Sequence, residues 1–542
     1  MLSYAHGACQ EPLLGETIGG NLARTIERVP DSEALVSRHQ DIRYTYAELG
    51  EAVRQLASGL LAAGVRRGER VGVWAPNRAE WALVQYATAM LGAILVNINP
   101  AYRTSELEYA LRQSGCRYLF ASSECRGSDF VAMVDQVTPG LDALERTIFF
   151  DSEAWEEMAG TPPDPSVDAL MQELDFDDPI NIQYTSGTTG FPKGATLTHH
   201  NILNNARFIG QLLGYTEADR VCIPVPLYHC FGMVIGNLAC TNTGATIVYP
   251  AETFEPEATL ATCAAERCTS LYGVPTMFIA ELEHPRFGEY DLGSLRTGIM
   301  AGSPCPIEVM KRVGSQMGIG QISIAFGQTE TSPVSTAVRV DDTLEHRCAT
   351  VGQVMPHTEI KIIDPASGLI RPRGQEGEFC ARGYLVMRGY WEDPERTRES
   401  IDPGGWMHSG DLATMDGEGY VRIVGRIKDM VIRGGENVYP REIEEFLYTH
   451  PDVADVQVIG VPDQRYGEEL MAWIVPRSGA SLTEEDVREY CRGRIAHFKI
   501  PRYVKFTDSY PMTVTGKVQK FRMREQAIEE LGLDRAAAIA TA

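Results

Sequence analysis

One short stretch in the first half of the chain concentrates residue types that can do chemistry. Residues 183–194 read QYTSGTTGFPKG. Glycines let the backbone curl so that successive N–H groups face one anion, the hydroxyls add donors, and Lys193 adds a compact positive charge. These residue types predict a loop that holds phosphate groups, and we call residues 185–193 the cradle.

A Walker-type P-loop is the first alternative, because it also combines glycines, a lysine and a hydroxyl. In that motif the lysine directly follows a glycine and precedes the hydroxyl that reaches Mg²⁺. Here Lys193 follows Pro192 and precedes Gly194, so the Walker template does not match. An ordinary surface turn rich in Ser, Gly and Thr is the other alternative. The residues by themselves indicate nucleotide or phosphate binding, without saying which.

The elements that must position the cradle alternate between strand and helix patterns. An apolar run at 180–184 leads into it, and residues 198–208 can form a helix. Upstream, Thr45 and Glu48 make a capping box for a helix that Gly64 can end. The alternation predicts a parallel sheet with covering helices. The predicted strands are residues 71–74, 94–96, 118–120, 221–225, 246–249 and 270–272.

Two later stretches of the chain depart from this alternation. Residues 151–178 are rich in Pro, Asp and Glu and are typical of a surface excursion, whereas residues 352–424 have the short strands of a small β subdomain. A new αβ unit follows residues 425–429, with Pro440 at the start of a helix. We therefore expect a large N-terminal domain, 1–427, made of two α/β subdomains and a small β subdomain. A small α+β domain, 428–542, would follow it.

Size and charge restrict the classes of protein to consider. The chain has 542 residues, more than one hydrophobic core usually supports. Its net charge of -24 argues against a nucleic-acid partner, because phosphate backbones would be repelled. We expect no export signal and no integral membrane segment. The 12 cysteines form no C-x-x-C pair, which indicates buried reduced thiols and a cytoplasmic location.

Several stretches, taken together with the cradle, resemble the adenylate-forming (AMP-binding) superfamily. This superfamily includes acyl-CoA synthetases, coumarate-CoA ligases, luciferases and the adenylation domains of peptide synthetases. The stretches follow the order of that family: the cradle, FGQTE at 326–330, HSGDL at 408–412, GRIKD at 425–429 and TGK at 515–517. Three runs resemble medium-chain fatty acyl-CoA synthetases most closely: PLYHCFG at 226–232, GVPTMF at 273–278 and RGGEN at 433–437.

The resemblance implies a two-step reaction that uses ATP, Mg²⁺ and coenzyme A. A carboxylate attacks the α-phosphate of ATP and releases pyrophosphate, and the thiol of coenzyme A then cleaves the acyl-adenylate. Because both reactants of the first step are anions, the site must neutralise charge. The chain would then be an acid–thiol ligase whose partners are small molecules.

The same resemblance assigns residues to the nucleotide. The cradle would hold the β- and γ-phosphates. Glu330 would bind Mg²⁺, because this ion prefers oxygen ligands. Thr329 would donate a hydrogen bond to the α-phosphate. Asp411 would accept hydrogen bonds from both ribose hydroxyls, and Arg426 would complete the contact with the ribose. Phe326 departs from the usual tyrosine, but its ring can still stack on adenine. The other implied contacts are Thr185, Ser186, Gly187, Thr188, Thr189, Gly190 and Lys193 in the cradle, and Gly302, Ser303, Pro304 and Gly327 near the base.

The C-terminal domain carries further implied roles. Lys517 resembles the lysine that touches the carboxylate and the α-phosphate together and lowers their repulsion. Lys428 aligns with the hinge about which the small domain turns between the two steps. After that turn, Gly434 and Gly435 would replace Lys517 beside the adenylate and line the pantetheine path. A tight turn before the helix at Pro440 is the alternative interpretation of these glycines.

An acyl pocket is implied beside His229, which in the family flanks the acyl carboxylate and gates the pocket. The alternative interpretation is a histidine of the core whose ring nitrogens are hydrogen-bonded to the surrounding protein. The side chains that follow it share one helical face and are apolar, which suits an aliphatic or aryl acid and not an amino acid. The expected lining is Phe231, Val234, Met300, Ala301, Ala325, Gly327, Pro333 and Val334.

Two other functions stay open. One is an acyl-AMP ligase that loads a carrier protein, and acceleration of AMP release by free coenzyme A would separate it from a CoA ligase. The other is a catalytically silent nucleotide-binding scaffold, against which the presence of Lys517, Glu330 and Asp411 argues. The sequence determines neither the chain length, branching or aromaticity of the acid nor the oligomeric state.

Overall fold

A computed structural model of the chain describes residues 1–185, 192–303, 305–433, 436–463, 465–492, 494–512 and 518–533. Within this part, four large β-sheets, which we call A to D, are covered by helices. Sheets A and B are mostly parallel, sheet C is antiparallel, and sheet D forms a smaller unit with the C-terminal helices. The predicted α/β class is confirmed.

Sheet A contains the strands on either side of the cradle. Its strands are parallel except Lys193–Thr198, which runs antiparallel to both of its neighbours, Pro179–Thr185 and Gly389–Tyr390. The parallel strands predicted upstream of the cradle are thereby confirmed. The strand order is Gly389–Tyr390, Lys193–Thr198, Pro179–Thr185, Ile94–Asn97, Arg70–Trp74, Tyr118–Ala121 and Arg146–Phe149.

Sheet B has nine strands, and its long middle section is parallel. Next to one edge, Thr336–Ala337 runs antiparallel to both of its neighbours, Gln321–Phe326 and Gln353–Val354. At the other edge, Ile42–Thr45 runs antiparallel to Glu33–Ser37. The strand order is Gln353–Val354, Thr336–Ala337, Gln321–Phe326, Thr297–Ala301, Ser270–Gly273, Arg220–Cys222, Thr246–Tyr249, Glu33–Ser37 and Ile42–Thr45.

Sheet C is the predicted small β subdomain, with one strand that the sequence pattern did not indicate. The N-terminal strand Tyr4–His6 pairs with Thr358–Ile363 at one edge. Three residues without apolar alternation carry no local strand signal, so this pairing depends on the tertiary structure. The order is Tyr4–His6, Thr358–Ile363, Gly377–Gly383, Met407–Met415 and Val421–Arg426.

Sheet D and its helices form the C-terminal α+β unit. Pro440 is the first residue of the helix Pro440–Leu447, as predicted from its fixed φ and missing N–H. Thr483 caps the helix Glu484–Cys491. The strands are Glu436–Val438, Val431–Arg433, Gly467–Pro476 and Val453–Asp463 in this order, with Tyr503–Phe506 parallel to Gly467–Pro476. The described part also has a two-stranded hairpin, Glu124–Cys125 and Ser128–Asp129.

Helices cover both faces of the parallel sheets. The predicted capping box at Thr45 is present, since its side chain accepts the Glu48 N–H and Glu48 accepts the Thr45 N–H. Such a cap stabilises a helix by about 1 kcal/mol. The α-helices are Ile18–Arg28, Tyr46–Ala62, Ala79–Leu91, Thr104–Ser114, Phe130–Val137, Glu153–Ala159, Ser166–Glu173, His199–Leu212, Cys230–Gly232, Ala239–Thr243, Pro256–Ala265, Pro275–Leu282, Ile307–Gln316, Leu344–Ala349, Pro394–Ser400, Pro440–Leu447, Glu484–Cys491 and Lys520–Leu531. The 3₁₀ turns are Arg38–Gln40, Thr138–Gly140, Phe287–Glu289, Thr329–Thr331 and His497–Lys499, and Met233–Leu238 is a π-helix.

The largest apolar cluster joins sheets A and B. It contains Val71 and Val73 of sheet A together with Val221 of sheet B. Helix Ala79–Leu91 contributes to it and is buried at every position but Glu80. A helix that is buried all round lies between layers and not on the surface. The two parallel sheets therefore share one core.

The prediction of a surface excursion at 151–178 is wrong in part. This segment forms the helices Glu153–Ala159 and Ser166–Glu173. Trp155, Met158 and Val167 are buried and belong to the cluster between the sheets. Their apolar side chains attach the segment to the core, although most of its other residues are polar.

The expectation of unpaired thiols is confirmed. All 12 cysteines are free, and Cys9 is the one that is partly exposed. No helix in the described part of the chain is both long and apolar enough to cross a membrane.

Candidate nucleotide and acyl site

The strands on either side of the cradle bring its two ends together. Pro179–Thr185 and Lys193–Thr198 pair in antiparallel fashion, and Thr185 lies directly opposite Lys193. Ile180 and Ile182 are buried, and they anchor the first strand in the apolar layers that pack on sheet A. Ser186, Gly187, Thr188, Thr189 and Gly190 lie outside the described residues, so their contacts with phosphate stay predictions.

Glu330 reaches the cradle end of sheet A from sheet B. It lies in the turn Thr329–Thr331, just beyond the strand Gln321–Phe326, and is 8% exposed. Its Oε1 accepts hydrogen bonds from the Tyr390 hydroxyl at 2.8 Å and the Thr185 hydroxyl at 3.4 Å. Burial, with the nearby negative charge of Glu330, raises the pKa of the Tyr390 hydroxyl, which keeps it protonated as a donor.

The surroundings of Glu330 fit a hard cation. Both donors to its carboxylate are neutral, and Oε2 accepts no hydrogen bond from any residue that the structure describes. A carboxylate with one oxygen unpaired is the kind of ligand that Mg²⁺ takes beside phosphates. Lys193 lies close by, with Nζ 5.0 Å from the centre of the Tyr390 ring. Thr329, predicted to contact the α-phosphate, is the buried residue before Glu330.

Asp411 and Arg426 meet across two neighbouring strands of sheet C. They are direct partners in the pairing of Met407–Met415 with Val421–Arg426. Arg426 Nε lies 2.9 Å from Asp411 Oδ1, and Asp411 is 5% exposed. The negative charge of Asp411 is the main cause that raises the pKa of Arg426. The structure therefore brings together the two residues predicted to contact ribose.

The predicted base-binding residues lie at the ends of neighbouring strands of sheet B. Gly302 and Ser303 follow Thr297–Ala301, while Phe326 ends the adjacent strand. The Phe326 ring packs edge-on against Phe379, with centroids 5.2 Å apart. Pro304 is outside the described residues.

Gly327 allows a close backbone approach beside these residues. A Cβ at this position would lie 1.9 Å from the Pro333 carbonyl oxygen, a distance that no side chain can adopt. A glycine is therefore required where the chain turns from Phe326 towards Glu330.

Most of the predicted acyl-pocket residues share one apolar cluster. Phe231, Val234, Ala301, Ala325 and Val334 all belong to the cluster between the sheets. The partly buried Pro333 lies next to Val334 in the chain. The Phe231 ring is 5.5 Å from the Tyr272 ring, centroid to centroid.

Met300 is an exception and corrects the predicted lining. It packs in the cluster on the opposite face of sheet B, whereas its neighbours Ile299 and Ala301 pack between the sheets. Successive side chains of a strand point to opposite faces. We therefore remove Met300 from the pocket wall.

His229 caps the segment that follows it. Its Nδ1 accepts the Phe231 N–H at 3.2 Å at the start of helix Cys230–Gly232. The predicted helical face then continues through the π-helix Met233–Leu238. The Tyr272 hydroxyl donates to the carbonyl of Ile235 at 2.9 Å, so a side chain satisfies part of this irregular backbone.

The predicted hinge directly follows the residues predicted to bind ribose. Lys428 is exposed in the turn after Arg426, and the Ile427 N–H donates to the Gly410 carbonyl at 3.0 Å. Gly434, Gly435 and Lys517 lie outside the described residues, and their roles stay predictions. The domain boundary at 427/428 also stays a prediction.

Sequence reasoning did not identify Tyr390 or Glu378 as site residues. Tyr390 is 60 residues from Glu330 along the chain. Glu378 accepts the Gly410 N–H at 3.1 Å across a separation of 32 residues. No local pattern marks either residue, because each acts through a contact that only the sheet arrangement creates.

Family comparisons agree with this geometry over both parts of the chain. Residues 22–391 match the model of the AMP-binding enzyme family, and residues 442–517 match that of the AMP-binding enzyme C-terminal domain. The putative acyl-CoA synthetase YngI of Bacillus subtilis is 49% identical, covering 96% of this chain and 99% of its own. The mitochondrial medium-chain acyl-CoA ligase ACSF2 of Danio rerio is 45% identical, covering 98% and 91%.

Solved structures show the same architecture. The anthranilate CoA ligase AuaEII in complex with anthranoyl-AMP superposes with a TM-score of 0.85 at 27% identity, covering 96% of this chain and 99% of that one. ATP-bound MatB from Rhodopseudomonas palustris gives a TM-score of 0.83 at 29% identity, covering 94% and 99%. The chain therefore belongs to the AMP-binding, adenylate-forming enzymes, and among them to the acyl-CoA ligases.

Proposed function

We propose that this enzyme activates a medium-chain fatty acid or a related carboxylic acid with ATP and transfers the acyl group to coenzyme A. In the first step a carboxylate oxygen attacks the α-phosphorus, and the bond to pyrophosphate breaks. In the second, the thiolate of coenzyme A attacks the acyl carbon, and AMP leaves with the electron pair of the broken C–O bond.

The observation that carries this proposal is the hydrogen bond that the Thr185 hydroxyl donates to Glu330 Oε1 at 3.4 Å. The two residues are 145 positions apart in the sequence. It joins the predicted cation ligand to the cradle that would hold the β- and γ-phosphates. When bound there, Mg²⁺ would neutralise phosphate charge as the acid approaches. Thr329 would donate to the α-phosphate, and Asp411 with Arg426 would hold the ribose. Lys517 would contact the acid and the α-phosphate.

The class of acid is inferred from the apolar lining and from the relatives. Phe231, Val234, Ala325 and Val334 offer hydrocarbon surface to the acyl chain. Relatives at 42% to 45% identity are named medium-chain acyl-CoA ligases. An aliphatic chain gains free energy by leaving water for such surroundings, at about 0.8 kcal/mol per buried methylene.

We further propose that residues 428–542 turn as a unit about Lys428 between the two steps. Support comes from the Ile427 N–H, which donates to the Gly410 carbonyl and so ties Ile427 to sheet C. A rotation of the C-terminal unit therefore has to begin after Ile427. We also propose a cytoplasmic location, which the free thiols of all 12 cysteines support.

The test is AMP release with ATP, Mg²⁺ and coenzyme A over a panel of straight-chain acids from acetate to palmitate. We expect the highest kcat/KM for acids of about eight to twelve carbons, because each methylene adds binding until the pocket is full. The control variant is Lys517→Ala, which should lose adenylation and still transfer a supplied acyl-adenylate to coenzyme A. A protein that forms no acyl-adenylate from any acid, or whose AMP release coenzyme A does not accelerate, would contradict the proposal.

A further inference from the structure

The segment that ends at Asp411 begins with a histidine for which the nucleotide chemistry gives no role. His408 lies on the strand Met407–Met415. Its Nδ1 is 2.9 Å from Glu378 Oε2, and Glu378 Oε1 accepts the Gly410 N–H at 3.1 Å. One carboxylate therefore bridges the imidazole and the backbone immediately before Asp411.

The local backbone explains how Glu378 reaches this position. The pairing of Gly377–Gly383 with Met407–Met415 is irregular between Glu378 and Cys380, and such an irregularity re-aims a side chain. Gly410 has a φ of 71°, in the left-handed region that glycine adopts readily. The side chains of Glu378 and His408 are 12% and 29% exposed, so water screens their attraction only in part.

The groups around His408 favour its charged form. Besides Glu378, the carboxylate of Asp402 lies near, with Oδ2 3.7 Å from Nε2. Cys380 Sγ lies 3.6 Å from Nδ1, but burial raises the pKa of this thiol, so it stays neutral and adds no charge. Lys361 also faces this group, with Nζ 3.9 Å from Asp402 Oδ2, and opposes the effect. The hydrogen bond to Glu378 is the main cause that raises the pKa of His408 above its ordinary 6.5.

Gly410 connects this pair with both the ribose contact and the hinge. Its carbonyl accepts the Ile427 N–H at 3.0 Å, next to Arg426 and before Lys428. A shift of Gly410 therefore moves Asp411 relative to Arg426. We propose that His408 is a positioning residue: as an imidazolium it holds Glu378, and through the Gly410 amide it orients Asp411, so that nucleotide binding weakens when His408 loses its proton. This inference rests on the proposed contact of Asp411 with ribose.

The direction of the pH effect follows from the raised pKa. The contribution of charged His408 is fully present below its ordinary pKa and is lost as the pH rises through the higher value in the folded protein. A neutral imidazole can still donate Nδ1–H to Glu378, but it loses the added strength of a charge-assisted bond. The loss is therefore partial.

The experiment measures the Kd of AMP by calorimetry for the wild type and His408→Asn between about pH 6 and pH 9. Asparagine supplies a similar N–H donor and stays neutral, and the ratio of the two Kd values cancels the titration of AMP itself. We expect the variant to bind about threefold to tenfold more weakly at the acidic end, with the ratio approaching one at the alkaline end. His408→Lys, which keeps a positive charge, should flatten the pH dependence of the wild type.

The matched control is His284→Asn, which removes another histidine next to a carboxylate, Glu257 at 3.8 Å, and which is not among the predicted nucleotide contacts. Its Kd ratio should stay near one at every pH. A His408→Asn ratio that is constant over the range would overturn the positioning role, since a purely structural defect would not follow the histidine proton. If the wild type bound no AMP at any pH, the proposed function itself would fail.

Discussion

The two buried carboxylates of the proposed nucleotide site are held in opposite ways. Glu330, on the phosphate side, receives hydrogen bonds from the neutral hydroxyls of Tyr390 and Thr185. Asp411, on the ribose side, is paired with the guanidinium of Arg426. Both are less than a tenth exposed, so the difference lies in their partners and not in their burial.

This difference matches what each carboxylate would have to bind. Neutral donors orient Glu330 without cancelling its charge, which leaves that charge for a cation. Arg426 compensates the charge of Asp411 in a buried position, where an unpaired carboxylate would be costly. A carboxylate paired with a guanidinium can also accept hydrogen bonds from hydroxyl groups, because its two oxygens offer about four lone-pair sites. The same side-chain chemistry thus serves two purposes through its neighbours.

The largest expected effect comes from removing the negative charge of Glu330. Glu330→Gln keeps the size of the side chain but offers a neutral amide to the cation, and we expect kcat for adenylation to fall by about 100-fold to 1,000-fold. The rate of ATP–pyrophosphate exchange, measured over a Mg²⁺ titration, reports this loss of adenylation. The control is Glu345→Gln, the same change at an exposed helix position. Equal activity of the two variants would show that Glu330 holds no cation.

A smaller effect is expected on the ribose side. Asp411→Asn should raise the Kd of AMP by about tenfold to 100-fold, because hydrogen bonds to a charged acceptor contribute roughly 1.5–3 kcal/mol. Binding of 2′-deoxy-AMP sharpens the test. The wild type should prefer AMP over the deoxy form, and the variant should discriminate less. If the preference persists in Asp411→Asn, the ribose hydroxyl is recognised elsewhere.

The smallest effect should come from one neutral donor. Tyr390→Phe removes the hydroxyl that orients Glu330 and keeps the ring beside Lys193. We expect the Mg²⁺ concentration for half-maximal exchange to rise by about threefold to tenfold, with little change in the Kd of AMP measured without metal. The contrasting variant is Phe379→Leu, which removes the ring that packs against Phe326. It should alter AMP binding and leave the Mg²⁺ requirement unchanged. A reversed pattern would contradict the assignment of Tyr390 to the phosphate side.

Local signals in the sequence predicted several helix starts well. The capping box at Thr45 and the proline at 440 mark helix starts that the structure confirms. These features depend on residues within one turn of each other, so the pattern alone is sufficient. By contrast, the helices between 151 and 178 were missed, because their burial depends on partners elsewhere in the fold.

The sequence by itself determined which residue types the site contains: the hydroxyl- and glycine-rich cradle, the carboxylates Glu330 and Asp411, and the apolar run after His229. The tertiary structure decided which of them meet and on which face they lie. Tyr390 and Glu378 act through contacts across 60 and 32 residues, and strand alternation turned Met300 away from the pocket. The physical reason is that residue type and short-range geometry are local properties of the chain, whereas sheet order and register arise from packing the whole core.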